Sequence, residues 1–138
     1  MGVELLLDSG ALVGLLDKTQ SVHRAAVDFF SSFSGRIVSS EAVLTEATHL
    51  LSGTPNGGPT CIDFVLRGKV FLAPSTEVSL KRCRDLMKKY SDPPVDFADA
   101  TLVVLAEELN TNLVFTFDKD FSVYRINGRK HFQIFPEP

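Results

Sequence analysis

Five short apolar runs, alternating with stretches of helical periodicity, set the limits on what this chain can fold into. The runs are VELLL (3–7), RIVSS (36–40), KVFLAP (69–74), NLVFTF (112–117) and HFQIF (131–135). Each is too short for a stable helix and nearly continuous rather than alternating, the pattern of a strand buried on both faces. Between them lie SGALVGLLD, SVHRAAVDFFSSF (21–33), EAVLTEATHLLSG (41–53), PTCIDFVLRG (59–68), STEVSLKRCRDLMKKY (75–90) and a segment over 96–109, all read as helices. Gly53 and Gly68 are the expected C-terminal stops of the third and fourth helices. Ser75 or Thr76 is the expected N-cap of the fifth, and Lys88 and Lys89 stand near its C-terminal end, where the helix dipole favours cations. Pro74, Pro93 and Pro94 interrupt the chain, TPNGGP (54–59) reads as a loop, and DKDFSVYR as a turn with a short helix. Asn127-Gly128 is the one hairpin signal. Alternating strands and helices predict an α/β/α sandwich around a central, mainly parallel five-stranded sheet.

The 138 residues fit one domain, residues 1–138, large enough to bury its own core. No apolar run approaches the ~18 residues of a membrane span. The N-terminus lacks the basic start of a signal peptide, and Glu4 and Asp8 interrupt its apolar part. Cys61 and Cys83 lie far apart without C-x-x-C spacing, so reduced, buried thiols in a cytoplasmic protein are expected. A net charge of −3 argues against a simple nucleic-acid coat protein, unless several acids are gathered in one place.

The segment 96–109 is apolar nearly all round, yet Asp96 and Asp99 stand at its front. Alone, this D-x-x-D resembles a capping box with Asp96 at the N-cap. Helical geometry separates the two acids. Leu102, Val103 and Ala106 lie at +3, +4 and +7 from Asp99 and share its face, so Asp99 is directed toward the sheet. Ligands of open parallel sheets bind beyond the carboxyl ends of the strands. Asp8 ends the first strand and Asp118 the fourth. Glu46 lies in the helix after the second, among Ala42, Val43, Ala47 and Leu50. Each has an ordinary reading: a cap for Asp8, a turn residue for Asp118, a solvated side chain for Glu46. Together they pose a charge problem. Two unit charges ~5 Å apart repel by roughly 3 kcal/mol at an effective dielectric near 20, and four acids contain six such pairs. Lys119 is the nearest basic residue to these strand ends in sequence. A hard divalent cation, Mg²⁺ or Mn²⁺, is the economical solution for an all-oxygen set. Such an ion also activates water and stabilises charge at a phosphodiester.

With those residues in place, the chain resembles the PIN-domain ribonucleases, and among them the VapC-type toxins of toxin–antitoxin modules. The resemblance rests on LLLDSGALVGLLD, VLTEATHLL, VDFADATLVVLAEE and VFTFDKDFSVYR, in the family's order and at about its spacing, and spans nearly the whole chain. It implies a PIN-like fold, an acidic cluster binding Mg²⁺ or Mn²⁺, and endonucleolytic cleavage of RNA. It assigns Asp8, Glu46, Asp99 and Asp118 as the catalytic, metal-binding acids. Asp96 matches an acid one helical turn earlier that assists the metal or only caps. Thr116 matches a hydroxyl residue two before the last acid, and Ser9 is placed to bond a metal water or phosphate. Asp120 rivals Asp118 in DKD, and Asp118 is preferred because it follows the strand directly. The resemblance further implies a cognate antitoxin partner and a homodimer formed through apolar helix faces, with AAVDFFSSF (25–33) either such a surface or core. Candidate RNA contacts are Lys81, Arg82, Arg84, Lys88 and Lys89 in one group and Arg125, Arg129 and Lys130 in another. With the four site acids set aside, 14 basic residues face 13 acidic ones, so the remaining surface does not repel RNA.

Other readings fit the residues less well. A catalytically silent PIN-like domain that binds RNA or protein remains the alternative. A haloacid-dehalogenase-like site needs D-x-D-x-T where this chain has DSGAL. A receiver domain needs a phosphoacceptor after the third strand, where this chain has LAPST. Glu46 and His49 form a single E-x-x-H, whereas a di-iron bundle needs two. No phosphate-binding glycine motif is present.

Overall fold

The computed structural model describes residues 3–138. Its main sheet has five parallel strands: β1 (Glu4–Leu7), β2 (Arg36–Ser40), β3 (Phe71–Ala73), β4 (Leu113–Phe115) and, last in the chain, β7 (Gln133–Phe135). Their spatial order is β3-β2-β1-β4-β7. The chain steps outward from β1 to β2 and β3, then returns to pair β4 with the free side of β1 and β7 beyond it. The order therefore reverses between β1 and β4, the place where a parallel sheet opens a crevice at its carboxyl edge.

The period-2 alternation of strand side chains splits the core into two halves. Leu5, Leu7, Ile37 and Phe115 pack on one face against α1 (Ser9–Leu16), α2 (His23–Ser32) and α4 (Gly57–Leu66). Leu6, Val38 and Val114 pack on the other against α5 (Glu77–Lys89) and α6 (Phe97–Leu109). The α/β/α sandwich expected from the sequence is thus observed. α3 (Glu41–Leu50) straddles the halves, with Val43 in one and Ala47 in the other. Every residue of α6 from Ala98 to Ala106 is buried, because α6 is covered by the sheet on one side and by α5 on the other. Its all-round apolar character has that cause.

Local signals behaved unevenly. Thr76, not Ser75, caps α5, in a reciprocal capping box with Ser79. Gly68 takes φ +76 just after α4, as a C-terminal stop should. Gly53 is not the stop of α3, which ends at Leu50 with Leu51 as its C-cap. The constraint lies at Gly57, where a Cβ would stand 2.3 Å from the Leu51 carbonyl oxygen. Its close approach lets α4 start two residues earlier than Pro59. HFQIF is not one strand. Lys130–His131 (β6) pairs antiparallel with Arg125–Ile126 (β5) around Asn127 and Gly128, both at positive φ, while β7 joins the main sheet. Phe29 and Phe30 of α2, and Phe33 at its C-cap, turn inward. Phe29 stacks on Phe135 and Phe30 packs on Phe64, so 25–33 serves the core. Cys61 and Cys83 are free thiols in opposite core halves. No helix among the described residues is long and apolar enough to cross a membrane.

Candidate metal centre

At the crevice between β1 and β4 the strand register places the residue after Leu7 beside the residue after Phe115. These are Asp8 and Thr116. The Asp8 amide donates to the Phe115 carbonyl at 3.0 Å, continuing the ladder by one bond. The Thr116 hydroxyl then donates to Asp8 Oδ2 at 2.6 Å and accepts the Asp118 amide at 2.9 Å. One buried hydroxyl thereby orients two acids from adjacent strands. Asp8 Oδ1 accepts the Ser9 amide at 2.8 Å and caps α1. Asp118 Oδ1 accepts the Asp120 amide at 2.9 Å and caps a 3₁₀ turn, Lys119–Ser122.

The third acid arrives from α6. Asp96 is its N-cap and accepts the Asp99 amide at 2.8 Å. The Asp99 carboxylate points instead into the crevice and is only 8% exposed. A hydroxyl pair, Ser40 with Thr101 at 2.8 Å, ties the end of β2 to α6 two residues beyond Asp99 and sets the helix's position. Asp8, Asp99 and Asp118 each offer an oxygen within 4.8 Å of the others. Glu46 stands outside that tight set but lines the same cavity, with Ser9, Gly10, Asp96 and Phe117, and its volume is about 290 Å³. The Ser9 hydroxyl donates to Glu46 Oε1 and fixes it at the rim. Asp120 contributes neither to the cluster nor to the cavity wall.

The electrostatics show what this arrangement costs. Burial pushes Asp8 up to about 6 despite the Thr116 and Ser9 hydrogen bonds that favour its charged form, and Asp118 and Glu46 raise it further. Asp99 is pushed up to about 8, first by burial and then by the charges of Asp8, Asp96, Asp118 and Glu46. The ion pairs found among the described residues engage none of these acids. Two buried carboxylates, Asp8 and Asp99, which repel each other and the more exposed Asp118 with no ion pair to offset them, suit a cation. The donors are all oxygen, which fits a hard divalent ion. Asp8, Asp99 and Asp118, with oxygens within 4.8 Å of one another, would hold such an ion.

One residue of this site gave no signal in the sequence. Tyr124 is fully buried, edge-on to Phe121 and Tyr90, and its hydroxyl donates to Asp99 Oδ2 at 3.4 Å. Burial, and then Asp99, raise its own pKa. A tyrosine in a short turn looks like any other in the chain, and only folding brings it to α6. The basic candidates lie elsewhere. Arg82 makes a two-pronged pair with Glu107, at 2.8 and 2.9 Å. Arg125 Nη1 donates to the carbonyls of Ser122, Val123 and Tyr124. Lys81 pairs with Glu77 and Arg84 with Asp85 on the exposed side of α5. None of the four lines the acidic cavity.

A parallel α/β sandwich with an acidic crevice at its point of strand reversal defines the class of fold. The PIN domain family model matches residues 5–127, and the chain belongs to that family. It is 28% identical to Ribonuclease VapC26 of Mycobacterium tuberculosis over 137 residues, 96% of this chain and 100% of that protein. Solved structures show the same fold. Mycobacterium tuberculosis VapC20, described as a sarcin–ricin loop cleaving toxin, matches with a TM-score of 0.81 at 19% identity, over 86% of this chain and 93% of that one. VapBC2 of Rickettsia felis, bound to a DNA fragment from its promoter, matches with a TM-score of 0.66 at 13% identity, over 96% and 98%. A toxin–antitoxin complex from Klebsiella pneumoniae matches with a TM-score of 0.65 at 16% identity, over 86% and 90%.

Proposed function

We propose that this chain is a Mg²⁺- or Mn²⁺-dependent endoribonuclease, the toxin of a toxin–antitoxin pair, acting in the cytoplasm as one domain. The observation that carries the reading is the uncompensated triad of Asp8, Asp99 and Asp118 in an open cavity at the sheet's carboxyl edge. The names of the relatives support it, since one is a ribonuclease and the structural neighbours are toxins or toxin–antitoxin complexes. When bound, a divalent ion supplies Lewis acidity and neutralises charge at the phosphodiester. The chain's residues do the remainder. Asp8, Asp99 and Asp118 hold the ion, and Asp96 adds charge at the rim while capping α6. Thr116 locks Asp8 in one orientation, and Ser9 does the same for Glu46. Glu46, at the cavity edge, is placed to take a proton from the water that forms the new bond to phosphorus, while the leaving ribose oxygen takes a proton from solvent. Exposed Lys81 and Arg84 serve as outer phosphate contacts. Self-association uses exposed apolar side chains such as Ile62 and Leu66 of α4.

The test is cleavage of total RNA with Mg²⁺ or Mn²⁺ by wild type, Asp8→Asn and Asp99→Asn, each shown to be folded. Cleavage by wild type alone is expected. Equal cleavage by all three would assign the activity to a contaminant and leave a catalytically silent binding domain. The partner is tested by co-expression with the product of a small neighbouring reading frame, which should co-purify and suppress cleavage.

A further inference from the structure

The acidic cavity does not stand alone. Phe117 and Asp118 line it on one side and also line a second cavity of about 530 Å³. Half-buried Phe117, Ile134 and Pro136 form the apolar wall of that second cavity, and exposed Lys119 and Ser122 sit at its edge. On the other side, Glu46 and Asp96 are shared with a third cavity of about 580 Å³ that includes Phe97, 40% exposed. An aromatic side chain thus lines each of the two cavities that share acids with the central one. Phe117 is held in place: Phe115 packs against it edge-on at 6.2 Å, and its ring lies beside Gly14 of α1.

We propose that the cavity behind Phe117 receives one unpaired nucleobase of the RNA, adjoining the phosphodiester at the acids, with the Phe117 ring as its stacking surface. This rests on the ribonuclease reading above. A nucleobase has two apolar faces and a polar edge, and a wall of Phe117, Ile134 and Pro136 with Ser122 at the margin matches both. Lys119 supplies the cation for the next phosphate, offsetting Asp118 and Glu137 of the same lining. The shared wall makes the connection: a phosphodiester held at the cation site that Asp118 lines leaves its attached nucleoside beside Phe117. A base still paired in a duplex does not enter, so the subsite selects loops and single strands.

The cut is first mapped in total RNA from ends that wild type makes and Asp8→Asn does not. That segment is then synthesised with an abasic residue at each position flanking the cut. With wild type, one position should cost about 10- to 100-fold in kcat/KM, the range of a lost base–aromatic stack. Phe117→Leu should shrink that penalty to a few-fold, and Phe117→Tyr should restore it. Independently of the leucine variant's folding, 2-aminopurine at the same position should be quenched on binding to Asp8→Asn. Equal penalties in wild type and Phe117→Leu, or no quenching at any position, would overturn the subsite and leave the cavity to an apolar side chain of a partner protein. A wild type that makes no cut beyond those of Asp8→Asn would bring down the ribonuclease reading itself, and the subsite with it.

Discussion

Asp99→Asn keeps the shape of a buried side chain and removes its charge. Asp99 holds its proton up to about pH 8 in the fold, against 3.8 as its ordinary value. Between those values the folded chain binds more protons than the unfolded one, so stability present at the acid end is lost as pH rises and the loss is complete above about 8. A gap of about four units at 1.36 kcal/mol each sets a ceiling near 6 kcal/mol. The realised loss is smaller, because the cavity admits water and because Asp8, raised to about 6, shares the same repulsion. We expect about 2 kcal/mol, roughly 6–10 °C of Tm for a chain of this size. The asparagine variant escapes this loss, and its backbone amide still meets Asp96, so the cap survives. In EDTA it should therefore be more stable than wild type near pH 8.5, with the gap closing as pH falls toward about 5. Adding Mg²⁺ should reverse the order, since wild type gains a ligand-bound state that the variant binds weakly. Thermal melts of both proteins at the two pH values, with EDTA and with Mg²⁺, check this. A variant less stable than wild type in EDTA throughout would mean that Asp99 acts as a structural hydrogen-bond acceptor, and the electrostatic account would be wrong.

Thr116→Val removes the hydroxyl shared by Asp8 and Asp118 with little change of shape. It should lower Mn²⁺ affinity by about 10- to 100-fold, and calorimetric titration showing unchanged affinity would refute the orienting role. Ser9→Ala frees Glu46. It should reduce kcat more than metal affinity if Glu46 handles the proton, and a loss confined to metal affinity would make Glu46 a ligand instead. Arg82→Ala leaves Glu107, only 10% exposed, without its two-pronged partner. It should cost about 2 kcal/mol of stability in urea melts while leaving cleavage per folded molecule unchanged; a drop in cleavage without a drop in stability would restore Arg82 as an RNA contact.

The two acids of the D-x-x-D segment show how far sequence reasoning reached. Helical spacing alone separated Asp96, which caps, from Asp99, which turns inward, because a helix repeats its faces whatever surrounds it. The end of β1 was legible because Asp8 closes a continuous apolar run; β4 was read through Phe117, whereas it stops at Phe115 and leaves Asp118 in the turn beyond. Glu46 shows the limit. The sequence placed it with the other acids as an equal, whereas the structure sets it at the rim, tied to Ser9 and outside the tight triad. That distinction depends on where α3 sits relative to α1, which no local pattern encodes. Tyr124 and the Ser40–Thr101 pair escaped notice for the same reason, as their partners lie 25 and 61 residues away. The basic residues were visible, but their intramolecular partners were not. Arg82 is 25 residues from Glu107, and Arg125 turns back on neighbouring carbonyls.

By itself the sequence determined the class of fold, the acidic residues near the ends of β1 and β4, and the capping of α6 by Asp96. All of these follow from periodicity and chain-local bonding, which act over a few residues. Tertiary structure decided the strand order that opens a crevice between β1 and β4, and the register that sets Thr116 beside Asp8. It also decided the convergence of Asp8, Asp99 and Asp118 to within 4.8 Å, and the placement of Phe117 as a wall common to two cavities. Those are relations between segments far apart in the chain, and they exist only once the two halves of the core have packed against the sheet.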